Sequence, residues 1–116
     1  MDRIGVFGGT FNPPHVGHLI VAETARESLH LDKVLFVPSA FPPHKSSRSL
    51  LDPDRRVEMV KLAISGNSSF ELSDLEIQRG GRSYTVDTLR ILSTLYPRAQ
   101  LYLLIGIDNL VELHAW

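Results

Sequence analysis

The sequence predicts an α/β domain built on an open parallel sheet with helices on both faces. Three observations carry this. Apolar runs alternate with helix-period segments in the order β-α-β-α-β-α-β-α. The run Val34-Leu35-Phe36-Val37 is apolar without alternation, which suits a strand buried on both faces. Chemically suggestive residues follow each predicted strand, at the end where open parallel sheets hold ligands. Such alternation calls for right-handed crossovers.

The elements follow in order. Strand one spans about Arg3–Gly8. A helix runs from about Gly17 to His30, with Leu19, Ala22, Ala25 and Leu29 on one face. Strand two is Lys33–Pro38, and a loop rich in Pro and Ser covers Ser39–Leu51. The second helix has clear signals: Asp52 as N-cap, Pro53 at its first position and Gly66 beyond its end. Val57, Val60 and Ile64 share its apolar face. Phe70–Ile77 reads as strand three, and Gln78–Arg82 as a turn carrying Gly80-Gly81. Ser83 can cap a third helix reaching about Tyr96, with Val86, Leu89 and Leu92 inward, and Pro97 stops it. Strand four is Gln100–Ile105, and a last helical piece starts near Asp108. No internal repeat, low-complexity tract or linker interrupts the pattern, so residues 1–116 read as one domain.

Composition sets bounds. A chain of 116 residues buries about 65% of its unfolded surface. Hydrophobic residues are 43% and charged residues 22%, as in an ordinary globular protein. Twelve Lys plus Arg against 13 Asp plus Glu give a net charge of −1. This argues for neither nucleic acid nor membrane as a partner. Positive potential for a phosphate must be local. Cysteine is absent, which excludes disulfides, Cys-ligated zinc and thiol nucleophiles. The N-terminal residues enter strand one without a signal-peptide pattern, and no apolar run is long enough to span a bilayer. A cytoplasmic protein is the expectation.

The most informative stretch is Gly8-Gly9-Thr10-Phe11-Asn12-Pro13-Pro14-His15-Val16-Gly17-His18. It joins strand one to the first helix. Small residues let the backbone approach a ligand, and two prolines stiffen the loop. His15 and His18 are three apart where the helix begins, so their side chains share a face. A helix N-terminus attracts anions. Together these describe a phosphate-holding site with two movable-proton donors. The plainer alternative is a turn shaped by glycine and proline and filled by histidine. A shared metal is a third reading, but it needs further ligands. The dinucleotide fingerprint of dehydrogenases does not fit the glycine spacing, and no Walker-type Gly-Lys-Ser/Thr loop occurs.

Gly9 to His18 resembles the Gly-x-Phe-x-Pro-x-His-x-Gly-His signature of the nucleotidylyltransferase superfamily. The resemblance implies a Rossmann-like fold of nucleotidylyltransferase type. It also implies transfer of a nucleoside monophosphate from ATP or CTP to a phosphate acceptor, with release of pyrophosphate. Three further segments narrow it. Pro42-Pro43-His44-Lys45 is similar to the loop after strand two in bacterial nicotinate-nucleotide adenylyltransferases. Gly81-Arg82-Ser83-Tyr84-Thr85-x-Asp87-Thr88-Leu89 is similar to that family's Ser-Tyr-Thr-x-x-Thr-Leu segment, and Gly106-Ile107-Asp108 to its Gly-x-Asp.

The resemblance implies catalytic roles for His15, His18 and Lys45. It implies nucleotide binding by Gly8, Gly9, Thr10, Phe11, Gly106 and Asp108, with Phe11 as a wall. Substrate contacts fall on His44, Tyr84, Thr85 and Trp116. Asp108 also reads as a helix N-cap, and both roles can coexist. Trp116 either stacks on the pyridine ring or packs on a neighbouring helix. The implied substrates are ATP, carrying Mg²⁺, and nicotinate mononucleotide, in NAD biosynthesis. A sister enzyme such as pantetheine-phosphate adenylyltransferase or a cytidylyltransferase would share the signature, though those lack the Pro-Pro-His-Lys and Ser-Tyr-Thr segments. A nucleotide-binding module without turnover also stays open. The family chain normally continues past the Trp with another strand and a Ser/Thr-x-x-Arg segment. The domain is therefore expected to be incomplete at its C-terminus and poorly active alone. The apolar strand carrying Leu101, Leu103, Leu104 and Ile105 would then lie at an open edge and invite a homo-oligomer.

Overall fold

The computed structural model describes residues 2–9, 11, 14–39, 52–80 and 85–105. Their elements run β1 (Arg3–Gly9), α1 (Val16–Leu29), β2 (Lys33–Pro38), α2 (Pro53–Ile64), β3 (Phe70–Leu72), α3 (Leu75–Arg79), α4 (Thr85–Leu95) and β4 (Gln100–Leu104). Every strand pairing is parallel, in the order β3-β2-β1-β4. From β1 the chain steps outward to β2 and β3, then returns to lay β4 on the other side of β1. Its direction across the sheet therefore reverses at β1, and the carboxyl ends of β1 and β4 flank the switch point.

Side-chain alternation builds two cores. Phe7, Val34, Phe36, Phe70 and Leu104 face Ala22 of α1 and Val60 and Ile64 of α2. Ile4, Val6, Leu35 and Val37 face Leu92 of α4, with Leu75 of α3 and Leu89 packed alongside. Outward steps use helices on one face and the return step uses the other. A single crossover hand requires that arrangement. Val34 to Val37 are all at most 1% exposed, as their unbroken apolar run predicts.

Four details correct the sequence reading. Strand three stops at Leu72, and Leu75–Arg79 is a short helix. The apolar spacing in Phe-Glu-Leu-Ser-Asp-Leu-Glu-Ile widens from two to three at Leu75, which ends the strand period. That turn lets Glu76 bury its carboxylate. Val86 is 56% exposed, and Thr88 takes an inward place beside Leu92 and Leu89. Leu29 also lies at the surface. On α2 the fully buried neighbour of Val60 and Ile64 is Arg56, while Val57 is only half-buried. The caps of α2 agree with the sequence, while Ser83 lies outside the described residues. The Asp52 side chain accepts from the Asp54 N–H, and Pro53 follows at the first position. β4 is an edge strand among the described residues, with Leu103 partly exposed. The helical piece expected near Asp108 lies outside those residues.

Gly5 shows how tightly the first core is filled. A Cβ there would sit 2.8 Å from Leu31 Cδ1 and 3.3 Å from both Leu104 Cδ1 and Val34 Cγ2. Gly5→Ala should destabilise the fold by about 1–3 kcal/mol, the cost of overpacking a filled core. Urea titration would read this as a lower midpoint at unchanged slope. An unchanged midpoint would mean that Leu31 yields freely.

Candidate active site

β1 delivers Gly8 and Gly9 to the switch point. Among the described residues a Cβ on Gly8 would meet the Val37 carbonyl at 3.9 Å, and one on Gly9 the Phe11 ring at 3.5–3.8 Å. Both are ordinary contacts among the described residues. Phe11 has φ +48° and is 2% exposed. A bulky residue in the left-handed region costs about 1–3 kcal/mol. The buried ring offsets that cost by meeting Phe7 edge-on at 5.5 Å and His18 at 5.0 Å between centroids. Phe11 is thus a support beneath His18.

His15 is the N-cap of α1, with extended φ −143° and ψ 174°. Its Nδ1 accepts from the Gly17 N–H at 3.1 Å. His18 reaches back, and its Nδ1 accepts from the His15 N–H at 2.9 Å. The pair forms a capping box in which imidazoles replace the usual hydroxyl and carboxamide. The rings stack at 3.9 Å with a 27° interplanar angle. Because both Nδ1 atoms accept, each neutral ring carries its hydrogen on Nε2. The capping box thus fixes where each neutral ring carries its hydrogen. Gly17 makes room for this: a Cβ there would lie 2.8 Å from His15 Cε1 and 2.9 Å from its Nδ1. Among the described residues no group of three or more His, Asp or Glu is arranged to hold a metal.

The family model described as Cytidylyltransferase-like matches residues 6–116. The chain belongs to this family. It is 54% identical over 114 residues to a "Probable nicotinate-nucleotide adenylyltransferase" of Desulfitobacterium hafniense (strain Y51), covering 98% of this chain and 55% of that one. It is 47% identical over 116 residues to the "Nicotinate-nucleotide adenylyltransferase" of Bacillus subtilis (strain 168), covering all of this chain and 61% of that one. This cytidylyltransferase-like chain thus spans little more than half the length of these curated relatives. It superposes over its whole length on 57% of the Plasmodium falciparum nicotinic acid mononucleotide adenylyltransferase complexed with NaAD, with TM-score 0.82 at 23% identity. That likeness shows the fold.

In this cytidylyltransferase-like domain the structure brings Gly9, Phe11, His15 and His18 into one connected group. Thr85 opens α4 and is half-buried. It lies at the same end of the sheet as His15, because α1 and α4 both start where strands end, but on the opposite face. Thr10, His44, Lys45, Tyr84, Gly106, Asp108 and Trp116 lie outside the described residues.

Two groups near the rim escaped sequence reasoning. Thr88 Oγ1 donates to the buried Glu76 carboxylate, and Arg79 Nη2 approaches that hydroxyl at 3.4 Å, tying α3 to the start of α4. Arg56 Nη1 donates to the Ser39 carbonyl at 2.5 Å, just past β2. Spacing at 56, 60 and 64 was the available signal for Arg56, but a charge on an apolar stripe reads first as solvated. No helix among the described residues is long and apolar enough to cross a membrane.

Proposed function

We propose that this chain carries the nucleotide-holding part of an adenylyltransferase that joins ATP to nicotinate mononucleotide and releases pyrophosphate. The observation that carries the reading is the histidine capping box at the switch point. It fixes both imidazoles through Nδ1 at the start of α1, in the group that reaches Gly9 through Phe11. Gly8 and Gly9 end β1 at the switch point, where small residues let a ligand approach the backbone. The names of the relatives supply the choice of nicotinate. In the reaction a phosphate oxygen of the mononucleotide attacks the α-phosphorus of ATP. The bond to the bridging oxygen breaks, and its electrons leave with pyrophosphate. Protein groups need only align the reactants and meet the growing charge. His15 and His18 meet it with Nε2–H, and Lys45 adds a point cation. Thr85, Tyr84, His44 and Trp116 are assigned to the pyridine nucleotide, and Gly106 and Asp108 to ATP. Mg²⁺ enters with ATP as part of the substrate.

The test is pyrophosphate release beside a calorimetric titration with ATP. In a longer polypeptide that contains this chain, release is expected with ATP and nicotinate mononucleotide together, and not when phosphopantetheine replaces the mononucleotide or CTP replaces ATP. ATP binding without release from any pair would identify a nucleotide-binding unit instead. Release with phosphopantetheine would assign a sister activity.

A further inference from the structure

Arg56 is fully buried on α2, at the end of the helix nearest the site. Its Nη1 donates to the carbonyl of Ser39. The Ser39 N–H donates in turn to the carbonyl of Gly9 at 2.9 Å. Gly9 is the last residue of β1, paired with Pro38 in β2. Two hydrogen bonds therefore run from a buried cation to the glycine at the switch point. We infer that Arg56 is a positioning residue for adenylyl transfer: it fixes the carboxyl end of β2 against Gly9 and so sets the backbone that meets the nucleotide phosphates. The inference rests on the proposed transfer reaction for its functional half only.

A buried arginine is not the cheapest way to fill a core position. Burial of a guanidinium is penalised, and well-packed apolar residues of similar volume often serve a fold equally well. Burial pulls the Arg56 pKa down, while the Asp52 carboxylate pulls the other way. The group nonetheless stays protonated at neutral pH. Its neighbours Val60 and Ile64 on the same stripe are apolar. What arginine adds is a directed donor at the Ser39 carbonyl and a fixed charge behind the rim.

Arg56→Met and Arg56→Lys test this in the purified protein. Met keeps apolar volume and loses donor and charge. Lys keeps a charge and a donor without the planar fork. Hydrogen exchange by NMR should show the Ser39 amide exchanging faster in Arg56→Met, while the Val34 amide, bonded to Ser69 at the far end of β2, stays protected. kcat/KM for transfer should fall by up to about 100-fold in Arg56→Met, the scale of a misplacement near 1 Å. Arg56→Lys should recover part of it. Unchanged exchange at Ser39 would overturn the clamp. Faster exchange with unchanged kcat/KM would overturn the positioning role. Should Arg56→Met fail to fold, Arg56→Lys gives the same two readouts. A wild type that neither binds ATP nor releases pyrophosphate would refute the transfer reading and with it the functional half, while exchange at Ser39 would still decide the clamp.

Discussion

Replacing His18 by alanine should lower adenylyl transfer by about 100- to 1000-fold, or about 2.7–4 kcal/mol, the scale measured for loss of one oriented donor to a developing oxyanion. ATP binding should weaken far less, because the charge on the leaving pyrophosphate is largest in the transition state. The ring has two jobs that a second variant separates. Nδ1 closes the capping box by accepting from the His15 N–H, and the hydrogen on Nε2 meets the phosphate. A glutamine at this third helical position can still reach back to the cap N–H. It has no imidazole N–H at the same point. His18→Gln should therefore keep the stability that His18→Ala loses, about 0.5–2 kcal/mol for a cap, yet lose comparable turnover. Ring nitrogen shifts in ¹⁵N spectra should show the Nε2–H tautomer for both histidines of the wild type. Near-normal turnover in either variant would remove His18 from the chemistry.

The order of the four strands and the run of β2 were legible, the latter because burial on both faces leaves a continuous apolar signature. Position of the histidine pair was legible too, since a spacing of three at a helix start admits one geometry. What escaped was polar burial. Arg56 takes the stripe expected for Val57 because its guanidinium finds the Ser39 carbonyl, a partner 17 residues away that no local pattern signals. Glu76 similarly turns inward toward Thr88, which shortens β3 and moves the inward face of α4 away from Val86. Phe11 was legible as part of a motif but not as a buried support. Its left-handed backbone sends the ring under His18, and sequence spacing carries no φ angle.

Gly17→Ala should separate stability from activity in the opposite sense to a core mutation. Alanine is favoured over glycine in a helix by up to about 1 kcal/mol. The added Cβ, however, would lie 2.8 Å from His15 Cε1 and 2.9 Å from Nδ1. Backbone there is already committed to α1, so the imidazole must give way. Moving it breaks the bond from the Gly17 N–H to Nδ1, at a cost of about 0.5–2 kcal/mol. These two effects nearly cancel, and the urea midpoint should shift little. Turnover should not be spared. His15 would leave its stack on His18, now 3.9 Å between centroids, and its Nε2–H would be displaced by roughly 1 Å, worth about 100-fold in rate. The Nδ1 released from the backbone could also take the hydrogen, so the ¹⁵N spectrum should show a mixed tautomer at His15 with His18 less affected. A variant that is stable and slow with an altered His15 signal confirms that glycine stands at this position to make room for a catalytic ring. Full turnover would mean that the stacked arrangement is not the one that works on substrate, and that His15 acts from a different rotamer.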